Sequence, residues 1–336
     1  MRVVAIIAAA ILTLGLAAPP PASRPPAGAP ACAMAAADSA WIAQALAAWE
    51  VVRRDSLKLA PAPRPTIVVF DAACRYLAAP GERLVWQAAP HTGQVTLPDG
   101  KIIPAMVTSF AAQADGGKPG FFVMALPSVW RTEKVTSELG LETMMEAVLI
   151  HEITHTRQFY FATPLIARLS KRYGFGDDLT DDSLQDHFKA NSAYVKAYQG
   201  ERDLLFAAAT EPDLGKARVI AAQALTLIRD RRATWFVGPE SRWAELDDLF
   251  MTMEGLGQWA GYSWLTARQG RNLDPAVALN AFRRGGRQWT QDEGLALFLV
   301  IDKLAPDWQA RAFSPKPELG YALLERAVRS PKGELT

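Results

Sequence analysis

Apolar residues recur at helical spacing in the first strongly patterned segment of the chain. Asp38 precedes this segment and is a residue type that caps helix N-termini, while Pro61, Pro63 and Pro65 follow the segment. The pattern predicts a helix of about twenty residues that begins at Asp38 and ends before the prolines. Its apolar face is formed by Trp41, Ile42, Ala45, Leu46, Trp49 and Val52.

Short β-branched or apolar runs separated by turn residues follow this helix. Thr66–Phe70 (TIVVF) predicts a buried strand, and Phe121–Leu126 (FFVMAL), which is stopped by Pro127, predicts another. Gly93 and the segment 98–100 (PDG) are turn signals between these two runs. The strand-like pieces in the intervening region are Leu84–Trp86, Gln94–Leu97, Lys101–Ile103 and Met106–Phe110.

From about Val135 onward the apolar spacing becomes helical and strand signals are few. The predicted helices are Leu141–Tyr160, Lys216–Phe236, Trp243–Leu265, Asp292–Leu304 and Glu318–Val328. A helix, then strands, then many helices is the order of an α+β fold, in which a small sheet layer packs against a helical half. We therefore divide the chain into a leader (residues 1–33), an N-terminal helix with strands (34–133) and a helical part (134–336), the last two forming one unit.

The leader has the pattern of an export signal. Arg2 precedes the apolar stretch Val3–Ala18, which is shorter than the ~20 residues of a membrane-spanning helix, and Pro19–Pro30 is rich in proline and alanine. This predicts a secretory signal peptide, hence a periplasmic or secreted protein without a stable membrane span in the mature chain. An uncleaved anchor and a lipid anchor on Cys32 are the alternatives. After export, Cys32 and Cys74 could form a disulfide or stay as two thiols.

Composition and charge exclude several classes of protein. Half of the residues are apolar, which is enough for a sizeable core and argues against general disorder. Lysine and arginine total 36 against 35 aspartates and glutamates, so the basic excess of a nucleic-acid-binding protein is absent. Two cysteines cannot build a disulfide scaffold or a four-thiolate zinc site. No signal in the sequence predicts an oligomeric state.

The strongest chemical signal is His151-Glu152-Ile153-Thr154-His155, an H-E-x-x-H pattern inside a predicted helix. Side chains four residues apart lie on one helix face about 5–6 Å apart, so His151 and His155 can converge on one ion. We expect Zn²⁺, which lowers the pKa of a bound water to about 7, with Glu152 as the general base. The alternative is two core histidines that hydrogen-bond to neighbouring groups.

The segment His151–Gln158 (HEITHTRQ), after an apolar helical turn, resembles the active-site helix of zincin metallopeptidases, including several exported bacterial ones. The resemblance implies an antiparallel edge strand beside this helix that holds the substrate backbone, and Phe121–Leu126 is the candidate. Metzincins have glycine and histidine where this chain has Gln158 and Phe161. The resemblance therefore points to the gluzincins, whose third zinc ligand is a glutamate on a later helix.

Several residues are candidates for the third ligand by this resemblance. Glu254, in the segment EGLGQW, is the first; Glu201 and then Glu293 follow, and His187 is a further alternative. Small residues next to Glu254 would allow its helix to approach the metal helix closely, and these residues are Gly255 and Gly257.

Zincins usually also provide a donor for the developing oxyanion, often tyrosine or histidine. Tyr262 lies eight residues after Glu254, roughly two turns along the helix, and is the candidate. Tyr198 would take that role if Glu201 is the ligand. The acidic run Asp177–Asp182 lacks the spacing of an EF-hand, so we expect a solvated helix-capping turn there rather than a calcium site.

These observations predict a zinc-dependent hydrolase of the cell envelope with His151, His155 and a downstream glutamate as ligands. By resemblance it is a peptidase, and its partner is then a peptide or protein substrate, not a nucleic acid. The first alternative is an exported zincin-like module whose metal site is structural or binds a partner without cleaving it. The second alternative is a helical domain without metal.

Overall fold

The computed structural model describes residues 32–81, 83–113, 119–176, 179–283 and 286–329. The predicted signal peptide and the segment Pro19–Pro30 lie outside these ranges. Within them, every helix is too short or too polar to span a bilayer.

The first helix, α1 (Ala36–Val51), continues into a short π-helical turn, Val52–Ser56. It begins two residues earlier than the sequence predicts, and Asp38 is not its N-cap. Asp38 is buried in the first turn of α1, and its carboxylate accepts a hydrogen bond of 3.2 Å from the backbone N–H of Ser128. Ser128 belongs to the first turn of another helix, α2 (Pro127–Thr132), where backbone N–H groups lack partners within the helix. Asp38 therefore caps α2.

The strands form one mixed sheet and a small hairpin. The sheet has five strands in the order β3-β2-β1-β7-β6; β1 and β7 are parallel, and the other pairs are antiparallel. The hairpin pairs β4 with β5. The strands are β1 (Thr66–Phe70), β2 (Cys74–Ala78), β3 (Trp86–Pro90), β4 (Gln94–Thr96), β5 (Ile102–Pro104), β6 (Ser109–Gln113) and β7 (Gly120–Ala125).

The predicted edge strand is not at an edge. It corresponds to β7, which pairs with β1 on one side and β6 on the other. All its residues are buried, which is why its sequence is continuously apolar instead of alternating. The edge strand on this side of the sheet is β6, which pairs only with β7 among the described strands.

Helices dominate the chain after residue 126. The predicted helix Leu141–Tyr160 is in fact two helices, because Arg157 and Gln158 donate their backbone N–H groups to carbonyls three residues earlier and end the first helix. The helices after α2 are α3 (Leu141–Thr156), α4 (Phe159–Tyr173), α5 (Ser183–Phe188), α6 (Ser192–Thr210), α7 (Leu214–Trp235), α8 (Trp243–Thr266), α9 (Pro275–Arg283), α10 (Trp289–Leu304), α11 (Gln309–Ala312) and α12 (Gly320–Arg329).

Helix α3 lies between the sheet and the other helices of the helical half. Helix α3 packs against β6 and β7 of the sheet and against α8 of the helical half. Helix α8 in turn packs against α10, and α10 against α6. The α+β architecture with a small sheet beside a large helical half is therefore confirmed, and the HExxH segment lies where the two meet.

Cys32 and Cys74 form a disulfide with their Cα atoms 5.9 Å apart, which ties the chain before α1 to the start of β2. A sulfur in a disulfide cannot also carry a lipid, so this pairing contradicts the lipid-anchored alternative for Cys32. Disulfides persist in oxidising compartments, the setting expected for an exported chain.

Candidate metal centre

Two histidines and one glutamate converge in the buried space between α3 and α8. The Nε2 atoms of His151 and His155, one helical turn apart on α3, lie 2.8 Å from each other. The Glu254 carboxylate on α8 places Oε2 at 3.3 Å from His151 Nε2 and Oε1 at 3.3 Å from His155 Nε2. The donor atoms of the three residues all lie within 4.8 Å of one another, and all three side chains are buried.

This group is suited to a cation. The Glu254 carboxylate is buried beside the two imidazoles and the Gln291 amide, and burial of a carboxylate costs free energy unless positive charge or hydrogen bonds compensate it. Burial lowers the pKa of His155 to about 4, so its imidazole is neutral at physiological pH and Nε2 offers a lone pair. Two imidazole nitrogens and one carboxylate oxygen facing each other could hold a metal ion.

Gln158 fixes one ligand and connects the two helices. Its Oε1 accepts a hydrogen bond of 2.8 Å from His155 Nδ1, which leaves Nε2 of that ring for the metal. Its Nε2 donates to the backbone carbonyl of Met253, the residue before Glu254, at 3.3 Å. From the sequence alone, Gln158 excludes one class of peptidase. Its role in connecting His155 to α8 could not be predicted, because that role depends on how the two helices pack.

Close contact between α3 and α8 depends on glycines. A Cβ atom at Gly257 would lie 2.7 Å from His151 Nδ1, and one at Gly261 would lie 2.9 Å from the carbonyl oxygen of Ala147. The expectation for Gly257 is confirmed. Gly255, however, faces α10: a Cβ there would lie 2.5 Å from the carbonyl oxygen of Gly294.

We expect Gly257→Ala to weaken zinc binding by about 10- to 100-fold, because the added methyl group displaces the His151 ring from its position. The control is Gly200→Ala on α6, where the added Cβ meets only Leu227 Cδ1 at 3.6 Å, an ordinary contact. Competition with a fluorescent chelator measures both zinc dissociation constants. An unchanged constant for Gly257→Ala would show that the His151 ring position does not depend on this glycine.

Glu152 lies beside the three-residue group, at the wall of an open cleft. Its side chain is only 2 % exposed, and Oε1 accepts a hydrogen bond of 3.2 Å from Ser109 Oγ on the edge strand β6. His151 and Glu152 both line the cleft. Its other walls are apolar at Leu139, Met144, Ala147, Val148, Ala281 and Phe282, and polar at Ser109, Ser137, Gln258 and Gln291.

The other candidates for the third ligand lie elsewhere. Glu201 Oε1 accepts a hydrogen bond of 2.5 Å from Arg231 Nε, and both side chains are fully buried. Glu293 lies next to Glu201, so these two residues belong to a buried ionic network and not to the metal group. His187 is half-buried, with Nε2 2.9 Å from Glu240 Oε2 and its ring against Trp243. The predictions of Glu201, Glu293 and His187 as ligands are wrong.

Neither predicted tyrosine lies in the cleft. Eight residues along a helix rotate a side chain about 80° away from the starting direction, so Tyr262 does not point where Glu254 points. Tyr262 is half-buried against the ring of Phe282. Tyr198 is buried and donates its hydroxyl to the carbonyl of Trp289 at 2.9 Å. The structure therefore does not place Tyr262 or Tyr198 among the described residues that line the cleft.

An acidic residue outside the three-residue group, Asp181, interacts electrostatically with Glu254 and Glu152. Asp181 precedes α5 and is 1 % exposed, and neither carboxylate oxygen has a hydrogen-bond donor among the described residues. Burial raises its pKa well above the usual range, and the negative charges of Glu254, Asp182 and Glu152 add to this effect. The acidic run was expected to be solvated, which is wrong for Asp181; Asp177 and Asp178 lie outside the described residues.

The arrangement can therefore do two things chemically. It can hold a cation among His151, His155 and Glu254, and it can present that position, together with the carboxylate of Glu152, to a molecule in the cleft. Comparison of the chain with protein-family models, with curated proteins and with solved structures finds no match.

Proposed function

We propose that this protein is a zinc-dependent hydrolase of amide bonds, a zincin-like peptidase that acts in the periplasm or outside the cell. The observation that carries the proposal is the group formed by His151, His155 and Glu254 with Glu152 next to it on the cleft wall. Bound there, zinc would lower the pKa of a water to about 7 and polarise a carbonyl group.

Each side chain then has a defined task. His151, His155 and Glu254 hold the ion, with the His155 ring oriented by Gln158. Glu152, held by Ser109, accepts a proton from the attacking water as its oxygen bonds to the carbonyl carbon. When the carbon–nitrogen bond breaks, Glu152 passes this proton to the leaving amine.

The relation of β6 to the cleft bears on a peptide as the substrate. Strand β6 pairs only with β7 among the described strands, but its residues 109–112 are buried, and Ser109 is the residue of β6 that lines the cleft. Strand addition by an extended peptide would therefore be limited to the backbone at this end of β6. Such a peptide would run beside Glu152, which is the relation that the zincin resemblance implies for the edge strand.

A non-catalytic metal site is the competing function. Structural zinc sites are closed by four protein ligands, whereas catalytic sites take three and leave a position open. The group found among the described residues has three donors and borders an open cleft, which favours catalysis.

The test is metal analysis combined with hydrolysis of a diverse peptide mixture, followed by mass spectrometry of the products. We expect one zinc ion per chain, cleavage by the wild-type protein, loss of cleavage after chelation, and recovery on addition of zinc. Zinc without cleavage would favour the non-catalytic module, and purification without zinc in buffers free of chelator would favour a metal-free helical domain.

A further inference from the structure

Hydrolysis of an amide leaves a negative charge on the former carbonyl oxygen, and a fixed hydrogen-bond donor near that oxygen accelerates the reaction. Among the described residues that line the cleft there is no tyrosine, lysine or arginine, and the histidine there is the metal-ligand candidate His151. The side-chain donors that remain are Ser109, Ser137, Gln258 and Gln291.

Two of these donors already have partners. Ser109 donates its hydroxyl to Glu152, which would serve as the base. Gln291 accepts a hydrogen bond from Gln258 with its Oε1 atom and places its own amide group next to Glu254. Neither residue is well placed to turn a donor towards a substrate without giving up a contact that holds the site.

Gln258 is different in position and in its hydrogen bonds. It lies one helical turn after Glu254 on α8, hence on the same face of the helix, and directly after Gly257, which contacts the His151 ring. One proton of its Nε2 is donated to Gln291 Oε1 at 2.5 Å. The amide group carries a second N–H proton, for which the described residues provide no acceptor. The side chain is 6 % exposed, so this proton is available only to what occupies the cleft.

We propose that Gln258 is a catalytic residue that donates this second N–H to the developing oxyanion, in the role for which the sequence had suggested Tyr262. The inference rests on the proposed hydrolase function. Gln291 acts as a positioning residue, because its hydrogen bond holds the Gln258 amide in one orientation before the substrate arrives. A donor held in this way stabilises the transition state without the cost of reorganising at the moment of reaction.

The test compares Gln258→Met with Ser137→Ala. Methionine keeps the approximate size and neutrality of glutamine but has no N–H, and Ser137 is the other cleft donor whose hydroxyl is not committed to Glu152. We expect Gln258→Met to retain zinc, to lower kcat by about 100-fold and to change KM little. Its affinity for a phosphinic peptide, a tetrahedral mimic of the transition state, should fall by a similar factor. The control is Gln223→Met at an exposed position of α7, which should match the wild type in all four measurements, whereas Ser137→Ala should lower kcat far less than Gln258→Met does.

Each failure has a separate meaning. A wild-type protein that does not hydrolyse peptides overturns the proposed function and this inference with it. An active wild type with unchanged kcat and phosphinic-peptide affinity in Gln258→Met overturns the inference alone. Loss of zinc from Gln258→Met would show that the residue supports the metal site, and loss of activity in Ser137→Ala would give the donor role to Ser137; either result also contradicts the inference.

Discussion

Replacing Glu152 with glutamine should reduce peptide hydrolysis by about 10³-fold or more and leave the zinc content at the wild-type level. Glutamine has the same size and can still accept a hydrogen bond from Ser109, but it cannot take a proton from water. Glu152 is not part of the three-donor group, so metal binding should not depend on its charge. Steady-state kinetics and metal analysis on the same preparation separate these two effects.

The matched control is Glu142→Gln on the same helix. Glu142 is half-exposed, forms an ion pair with Arg131 on α2 and is not among the residues that line the cleft, so its replacement should leave both measurements unchanged. His155→Ala, by contrast, should lose zinc and activity together. Full activity of Glu152→Gln on a substrate that the wild type cleaves would exclude Glu152 as the general base.

The sequence was most informative where local geometry determines the result. Helical periodicity alone places His151 and His155 on one face, and the structure brings their Nε2 atoms together. Strand β1 has the predicted limits, because the run TIVVF is bounded by a proline and an aspartate. The helical half was predicted in outline, but α4, α5, α6, α9 and α11 were not.

The choice among the ligand candidates could not be made from sequence. Glu254 and Glu201 both lie on helices of the second half, and only the packing decides that α8 contacts α3 while α6 contacts α7 and α10. Glu201 finds its partner in Arg231, thirty residues later, and no spacing rule predicts that pairing. Gly257 was the useful local clue, because only a residue without a side chain fits against the His151 ring.

Other errors arose where a tertiary contact replaces a local one. Asp38 has the sequence position of a cap for its own helix, yet its carboxylate caps α2, which lies 90 residues later in the chain. Asp181 belongs to an acidic run that suggests a solvated turn, yet it is buried near Glu254 and Glu152. Local patterns give the residue types suited to a role, and the packing decides where that role is performed.

Removing the positive charge of Arg231 should strongly destabilise the fold. Arg231 is buried on α7, where it donates hydrogen bonds to Glu201 at 2.5 Å, to Asp247 at 3.2 Å and to the Tyr194 hydroxyl at 2.7 Å. Arg231→Met would leave buried carboxylates without their cation, which typically costs about 3–5 kcal/mol. Urea denaturation of the two proteins measures the difference in the free energy of unfolding.

The control is Arg229→Met on the same helix, where the arginine is half-exposed and pairs with Glu325 at 2.6 Å. Its removal should cost no more than about 1 kcal/mol, because water screens such pairs. If Arg231→Met costs no more than this control, Arg231 does not compensate negative charge on the buried acids.

The same network predicts how stability depends on pH. Burial raises the pKa of Glu201 from 4.5 to about 7, and burial together with the charge of Glu201 raises the pKa of Glu293 well above its usual value. Well below pH 4.5 both glutamates are protonated in the folded and the unfolded chain, so they add no pH dependence to the free energy of unfolding. As the pH rises from there towards 7, the unfolded chain loses these protons first, and the contribution of the pair to stability falls.

Glu201→Gln should therefore flatten the decline in the free energy of unfolding between pH 5 and pH 7, measured by urea denaturation at each pH. If the free energy of unfolding falls equally steeply with pH in the variant and the wild type, folding does not raise the pKa of Glu201.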